Sequence, residues 1–178
     1  MDTFAHGALS MVCFSRSGLR RLWVAPEKPP LRDWTLWTSL GFGTLPDLSS
    51  FGAYLIQRII DGDYTPGKPA LETMPSYVFT NYNISHSLVV ALAAGLVIYF
   101  VWRPLFLPFL AWPVHILCDI PMHSRDYFAT PVLWPFWSWN FDGWGFSKYP
   151  LLVAGYWLVI GILIAVVVKY GKRPMAAT

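Results

Sequence analysis

Residues 103–123 read RPLFLPFLAWPVHILCDIPMH, an apolar run into which His115 and Asp119 are set four positions apart. Leu105 to Ile120 has the length of a membrane helix, and Pro108 and Pro113 predict a kink that neighbouring helices must accommodate. Ser87 to Trp102 (SLVVALAAGLVIYFVW) and Tyr149 to Val168 carry no charge at all, and both are predicted to span. The N-terminal third is less regular. Phe4–Phe14 and Trp34–Leu45 are apolar but short, and Pro46-Asp47 interrupts the second before Phe51–Ile60. Met1-Asp2 carries no basic n-region, so a cleaved signal peptide is not expected.

Composition agrees with these segments. Of 178 residues, 55% are hydrophobic, 17% aromatic and 13% charged, against about 25% charged in soluble domains. So few charges cannot cover a water-facing surface of this size, and disorder, coiled coil and nucleic-acid binding are excluded. Cys13 and Cys118 both lie in apolar runs and are expected to be unpaired thiols. The expectation is an all-α integral membrane helical bundle, a single domain over 1–178 solvated by lipid. About five membrane-embedded helices are predicted, the two N-terminal ones short.

Charge orients this bundle. On an alternating five-helix path, Arg16, Arg20, Arg21, Lys28, Arg32, Arg103, Lys169, Lys172 and Arg173 fall on one side. Arg58, Lys68, Arg125 and Lys148 fall on the other. The positive-inside rule then predicts a multi-pass protein with its N-terminus out and its C-terminus in. The connections 48–84 and 121–148 lie on the outer side. The second contains PVLWPFWSWNFDGWGFSKYP, which reads either as an aromatic belt at the headgroup level or as an apolar mouth receiving acyl chains.

Polar side chains near a bilayer are costly and ask for a reason. His6, Asp47, His86, His115, Asp119 and His123 all fall at the outer end of the predicted path, which puts the site near the non-cytoplasmic face. The His115–Asp119 spacing places both on one helix face, where they can share a metal ion or a proton. His86 is predicted in the first turn of a helix capped by Ser85 or Asn83, beside free backbone N–H groups that favour an anion. Pro46 is predicted to end a helix, leaving Asp47 as a ligand or as the cap of the next. Pro121 predicts that His123 leaves the helix for the loop. Imidazole and carboxylate donors suit Zn²⁺, and also Mn²⁺ or Fe²⁺. Three histidines and two aspartates would hold one ion, or two bridged by a carboxylate, with His123 as general acid or base.

The order G-x-L-P-D (Gly43 to Asp47), S-H-S (Ser85 to Ser87), H-x-x-x-D (His115 to Asp119) and L-W-P-F (Leu133 to Phe136), with His6 before it, resembles the bacterial membrane-bound metal-dependent hydrolases of the YdjM type. The resemblance covers about residues 5 to 165 and implies a hydrolase of the bacterial inner membrane. The chain departs from the pattern at Ser49, where the family often has a second aspartate, and at Asn81-Tyr82, where it often has His-Arg. Two functions follow as expectations. One is a metal-dependent hydrolase acting on a phosphate or acyl ester of a lipid-like substrate. The other is a non-catalytic accessory subunit of a larger membrane complex. An ion carrier would need a polar path to the basic side, which the apolar helices do not offer.

Overall fold

The computed structural model describes residues 1–173. Among these the regular structure is all helix, covering about two thirds of the residues, without a strand. The helices are α1 (Thr3–Phe14), α2 (Trp34–Asp47), α3 (Ala53–Ile60), α4 (Ser76–Ser85), α5 (Leu88–Val101), α6 (Arg103–Phe109), α7 (Ala111–Met122) and α8 (Pro150–Tyr170).

Five spanning segments are not what forms. Only Arg103–Met122, the joined α6 and α7, and α8 are long and apolar enough to cross a membrane alone. A third crossing arises only if α4 and α5, bent by 56° at their junction, act as one. The segment Ser87–Trp102, read from sequence as a span, yields a 14-residue helix of about 21 Å against a hydrocarbon core of about 30 Å. Helix α1, with 12 residues, reaches only about 18 Å.

Local chemistry explains several boundaries. Asp2 caps α1 by accepting from the Ala5 N–H at 2.9 Å. Asp33 caps α2, accepting from the Thr35 N–H at 3.0 Å and from the Ser17 hydroxyl at 2.7 Å. This ties the basic linker to the start of α2. Pro46 does not end α2 as expected. The helix passes through it into a π-helical turn, Leu48–Gly52, and on into α3. The Pro46 carbonyl stays satisfied, accepting from the hydroxyls of Ser49, Ser50 and Ser85 at 2.9, 3.0 and 3.1 Å. Helix α7 likewise runs through Pro121 to Met122, and His123 then turns extended.

Helices α1 and α8 run in the same direction. Asp2 accepts from the Tyr156 hydroxyl at 2.6 Å and the Trp157 indole at 3.0 Å. At the other end the Lys172 N–H donates to the Arg21 carbonyl at 2.8 Å. There Trp34 stacks on Trp102 with centroids 5.9 Å apart, beneath the Arg16 guanidinium. The basic residues therefore gather at one end of the bundle. The segments 61–73 and 124–148 close the opposite end, where Lys148 pairs with Asp126 at 2.5 Å and lowers the pKa of that carboxyl. Within the second segment the tryptophan-rich stretch is strapped to the end of α7 by Gly143 N–H to His123 O at 2.8 Å and Trp144 N–H to Pro121 O at 3.0 Å. Cys13 and Cys118 are free thiols.

Close approach of α1 and α2 depends on Gly43. A β-carbon there would lie 2.1 Å from Ser10 Oγ and 3.0 Å from the His6 carbonyl. Gly43→Ala is expected to destabilise the protein by about 1–3 kcal/mol through overpacking. Gly155→Ala, where a β-carbon meets nothing within 4 Å, should be neutral or stabilising; thermal unfolding in detergent measures both. In a background without native cysteines, Lys28→Cys and Ser138→Cys should label from opposite sides of the membrane. Labelling of both from one side would overturn the bipolar arrangement.

Candidate metal centre

Six polar side chains from four parts of the fold meet at the end of α1. His6 comes from α1 and Asp47 from the last residue of α2. His115 and Asp119 come from α7, one turn apart. His86 does not open a helix, contrary to its expected place. It closes α4, its N–H donating to the Tyr82 carbonyl, and Ser87 caps α5. The histidine therefore sits in the bend between the two helices, without the helix N-terminus predicted to favour an anion.

Asp47, His86, His115 and Asp119 are all buried, and each directs one donor atom to a common point, all four lying within 4.8 Å of one another. His115 Nε2 lies 3.3 Å from His86 Nε2, 3.2 Å from Asp119 Oδ2 and 3.7 Å from Asp47 Oδ1. His86 Nε2 lies 3.5 Å from Asp47 Oδ1 and 3.7 Å from Asp119 Oδ2. A tetrahedron with metal–ligand bonds of roughly 2.0–2.1 Å has edges of about 3.3–3.4 Å. Two of the five separations lie at or near that value, and the other three, at 3.5, 3.7 and 3.7 Å, are longer, a set somewhat more open than an ideal tetrahedron.

The imidazole tautomers follow from their other nitrogens. His115 Nδ1–H donates to the Gly43 carbonyl at 2.7 Å. His86 Nδ1 lies 3.3 Å from the Tyr82 carbonyl and 3.0 Å from Ser85 Oγ. With both protons held at Nδ1, both Nε2 lone pairs face the two carboxylates. Asp119 Oδ2 is buried with no hydrogen-bond partner. In that tautomer four acceptors lie in contact away from water, an arrangement that a cation among them would satisfy. The residues present fit a divalent ion.

The remaining two histidines face the other oxygen of Asp119. His6 Nε2 lies 2.9 Å from Asp119 Oδ1, and its ring stacks on His115 at 3.6 Å. His123 Nε2 lies 3.5 Å from the same oxygen and has no hydrogen-bond partner. The Met1 amino group also contacts Asp119 Oδ1. His6 thus lies beside the four-donor set rather than within it, positioned by a carboxylate that already serves the common point.

Four contributors have no obvious mark in the sequence. Thr3 donates to Asp47 Oδ2 at 2.6 Å and fixes that carboxylate. Tyr82 stacks on His86 at 3.9 Å and donates to the Phe128 carbonyl at 2.7 Å. Its position four residues before His86 is the signal that would have found it. Phe128 has φ of 55°, an uncommon value for a non-glycine residue. Its carbonyl accepts from His123 Nδ1 at 3.0 Å as well. Lys68 reaches over the site with its ammonium 3.9 Å from the Tyr127 ring centroid. Burial, and then the like charge of Lys148, lower its pKa.

No family model, curated protein or solved structure matches the chain. What the site can do is therefore argued from its geometry.

Purified protein is expected to hold a divalent ion that His115→Ala and Asp119→Ala each lose, as read by elemental analysis. At an ion concentration of about 100 times Kd, binding should add about 2.7 kcal/mol to stability. That gain should shrink as pH falls below about 6.5, because protons compete for the Nε2 lone pairs.

Proposed function

We propose that the protein is a membrane-embedded, metal-dependent hydrolase acting on a phosphate or acyl ester of an amphipathic substrate. The convergence of two imidazole and two carboxylate donors on one buried point carries this reading. Two imidazole nitrogens and two carboxylate oxygens in a compact buried set suit Zn²⁺, with Mn²⁺ or Fe²⁺ as alternatives. A bound ion of this kind supplies Lewis acidity, activating water and drawing charge from the ester oxygen. The chain's own residues supply the rest. Gly43 and Tyr82 hold the imidazoles of His115 and His86 in their donor orientation, and Thr3 holds Asp47. His123 keeps its proton at Nδ1 through the Phe128 carbonyl, leaving Nε2 to take a proton from water and return it to the leaving oxygen.

The ordered motifs, including His6, support a divergent member of the YdjM-type family in a bacterial inner membrane. The gathering of basic residues at the end opposite the site supports an N-out, C-in orientation. One observation favours the second reading, an accessory subunit. At the two positions where the chain departs from the family pattern, Asn81 Nδ2 donates to the Ser49 carbonyl at 3.0 Å. A structural hydrogen bond occupies the place of further polar chemistry.

Metal-replete protein in detergent should hydrolyse a p-nitrophenyl phosphate or acyl ester. His123→Ala should lower kcat by about 10²–10⁴-fold while metal content stays unchanged. A metal-replete protein with no turnover on either ester class would reject the hydrolase reading in favour of the accessory one.

A further inference from the structure

Two cavities meet at Thr3, Asp47 and Phe51. The first, of about 340 Å³, lies over the metal centre and is bounded by His123, Lys68 and Phe146. The second, of about 620 Å³, runs from Asp47 between α1, α2, α3 and the segment 64–69. Its wall is almost wholly apolar, with Phe4, Leu40, Leu48 and Leu55 along its length. The π-helical turn widens the helix path here, and Gly52 contributes no side chain to the wall.

The second cavity opens on a surface built for hydrocarbon rather than water. Phe4 is 81% exposed and Leu48 55%, and neighbouring Leu45, Ile56 and Ile59 are exposed as well. Its polar groups stand at the two ends. Asp47 and Thr3 are at the inner one. Arg58, toward the outer one, already donates to the Asp63 carbonyl at 2.6 Å and to Thr65 Oγ1 at 3.0 Å. Lys148 is held by Asp126. Lys68, in contrast, has no carboxylate partner among the described residues, and it projects into the first cavity where the two join.

We propose that the second cavity holds the alkyl chain of a membrane-resident lipid phosphate, whose phosphate group rests between Lys68 and the metal centre. This deepens the hydrolase reading and rests on it for the reaction step, though not for binding. An amphiphile entering sideways from the bilayer keeps its chain in an apolar wall throughout. Its anionic head meets the ammonium of Lys68, which sits over the Tyr127 ring and has no carboxylate in salt-bridge contact among the described residues, and its ester bond falls between Asp47 and His123. In the reaction, a water oxygen bonds to phosphorus and the bond from phosphorus to the alkyl oxygen breaks. His123 Nε2 takes the water proton and passes it to the departing oxygen. A long-chain alcohol and inorganic phosphate result. The acyl groove is thus built by residues 40–69, whereas the tryptophan-rich stretch 133–144, an alternative mouth by sequence, does not line it.

The test uses full-length, metal-loaded protein in phosphatidylcholine nanodiscs and a dodecyl phosphate probe carrying a photoreactive group at its chain end. Crosslinks are expected within residues 40–55 and 64–69. Gly52→Phe and Leu55→Trp, which fill the groove, should each reduce them by roughly tenfold with metal content unchanged. A β-carbon at Gly52 meets Leu48 only at an ordinary 3.5 Å, and the two variants check each other. Lys68→Gln should weaken labelling by the phosphate probe but not by a neutral dodecanol probe. Labelling confined to the lipid-facing surface of α8, or unaltered in both groove variants, would overturn the proposal. Competition by an equal concentration of inorganic phosphate would also overturn it, because the chain would then contribute nothing. Groove labelling without any hydrolysis of dodecyl phosphate would keep the binding site and reject the phosphate-ester reaction step alone.

Discussion

Two carboxylates and several imidazoles packed together inside an apolar bundle form an arrangement that lipid cannot solvate. An unpaired charge in such surroundings is expensive, and Asp119 is fully buried with one oxygen unpartnered. Positive charge stabilises the cluster, the Met1 ammonium at Asp119 Oδ1 being one source, and much of the fold can be understood as the scaffold that brings these groups together. Helix α2 continues through Pro46 because Asp47 must enter at its end. The α4–α5 path bends where His86 must enter. Gly43 has no side chain, so α1 approaches closely enough to bring His6 alongside, and the carbonyl of the same residue orients His115.

The same requirement accounts for the irregular helix lengths. A bundle of uniform spanning helices would place its ends, and therefore its turns and polar groups, at the two water interfaces. Here α1 stops short. Asp2, at its start, meets Tyr156, six residues into α8, which is about 9 Å below the start of that helix. The candidate metal centre therefore lies below the end of the bundle opposite the basic residues, inside the depth of α8. The segments 61–73 and 124–148 cover it from above.

What could be read from sequence, and what could not, divides along physical lines. Lipid-facing α8 is apolar on every side, so length alone identifies it. The convergence of His6, Asp47, His86, His115, Asp119 and His123 on one end followed from counting crossings. It survived a wrong number of crossings because each residue's position relative to the basic end was right. Short apolar helices are the harder case, and the span read at Ser87–Trp102 is the one corrected. In α1, α2 and α5 neither length nor periodicity separates a span from a packed half-helix, since both faces are apolar. Pro46 misled as a helix terminator because the hydroxyls of Ser49, Ser50 and Ser85 satisfy its carbonyl, whereas His123 leaves the helix two residues after Pro121, as the sequence suggested. Thr3, Tyr82 and the Phe128 carbonyl touch the site through tertiary contacts that no local pattern encodes.

For the proposed lipid substrate, the sunken position of the cluster also sets how concentration must be counted. If the reacting bond arrives through the side of the bundle, encounters occur by lateral diffusion in a sheet rather than in a volume. The quantity that governs saturation is then the mole fraction of substrate among the surrounding amphiphiles. Diluting with inert detergent at fixed bulk concentration would slow the reaction, and adding buffer would not. On the proposed reaction the two products would also leave by different routes: the hydrocarbon half would remain dissolved in the leaflet, and the hydrophilic half would depart into water.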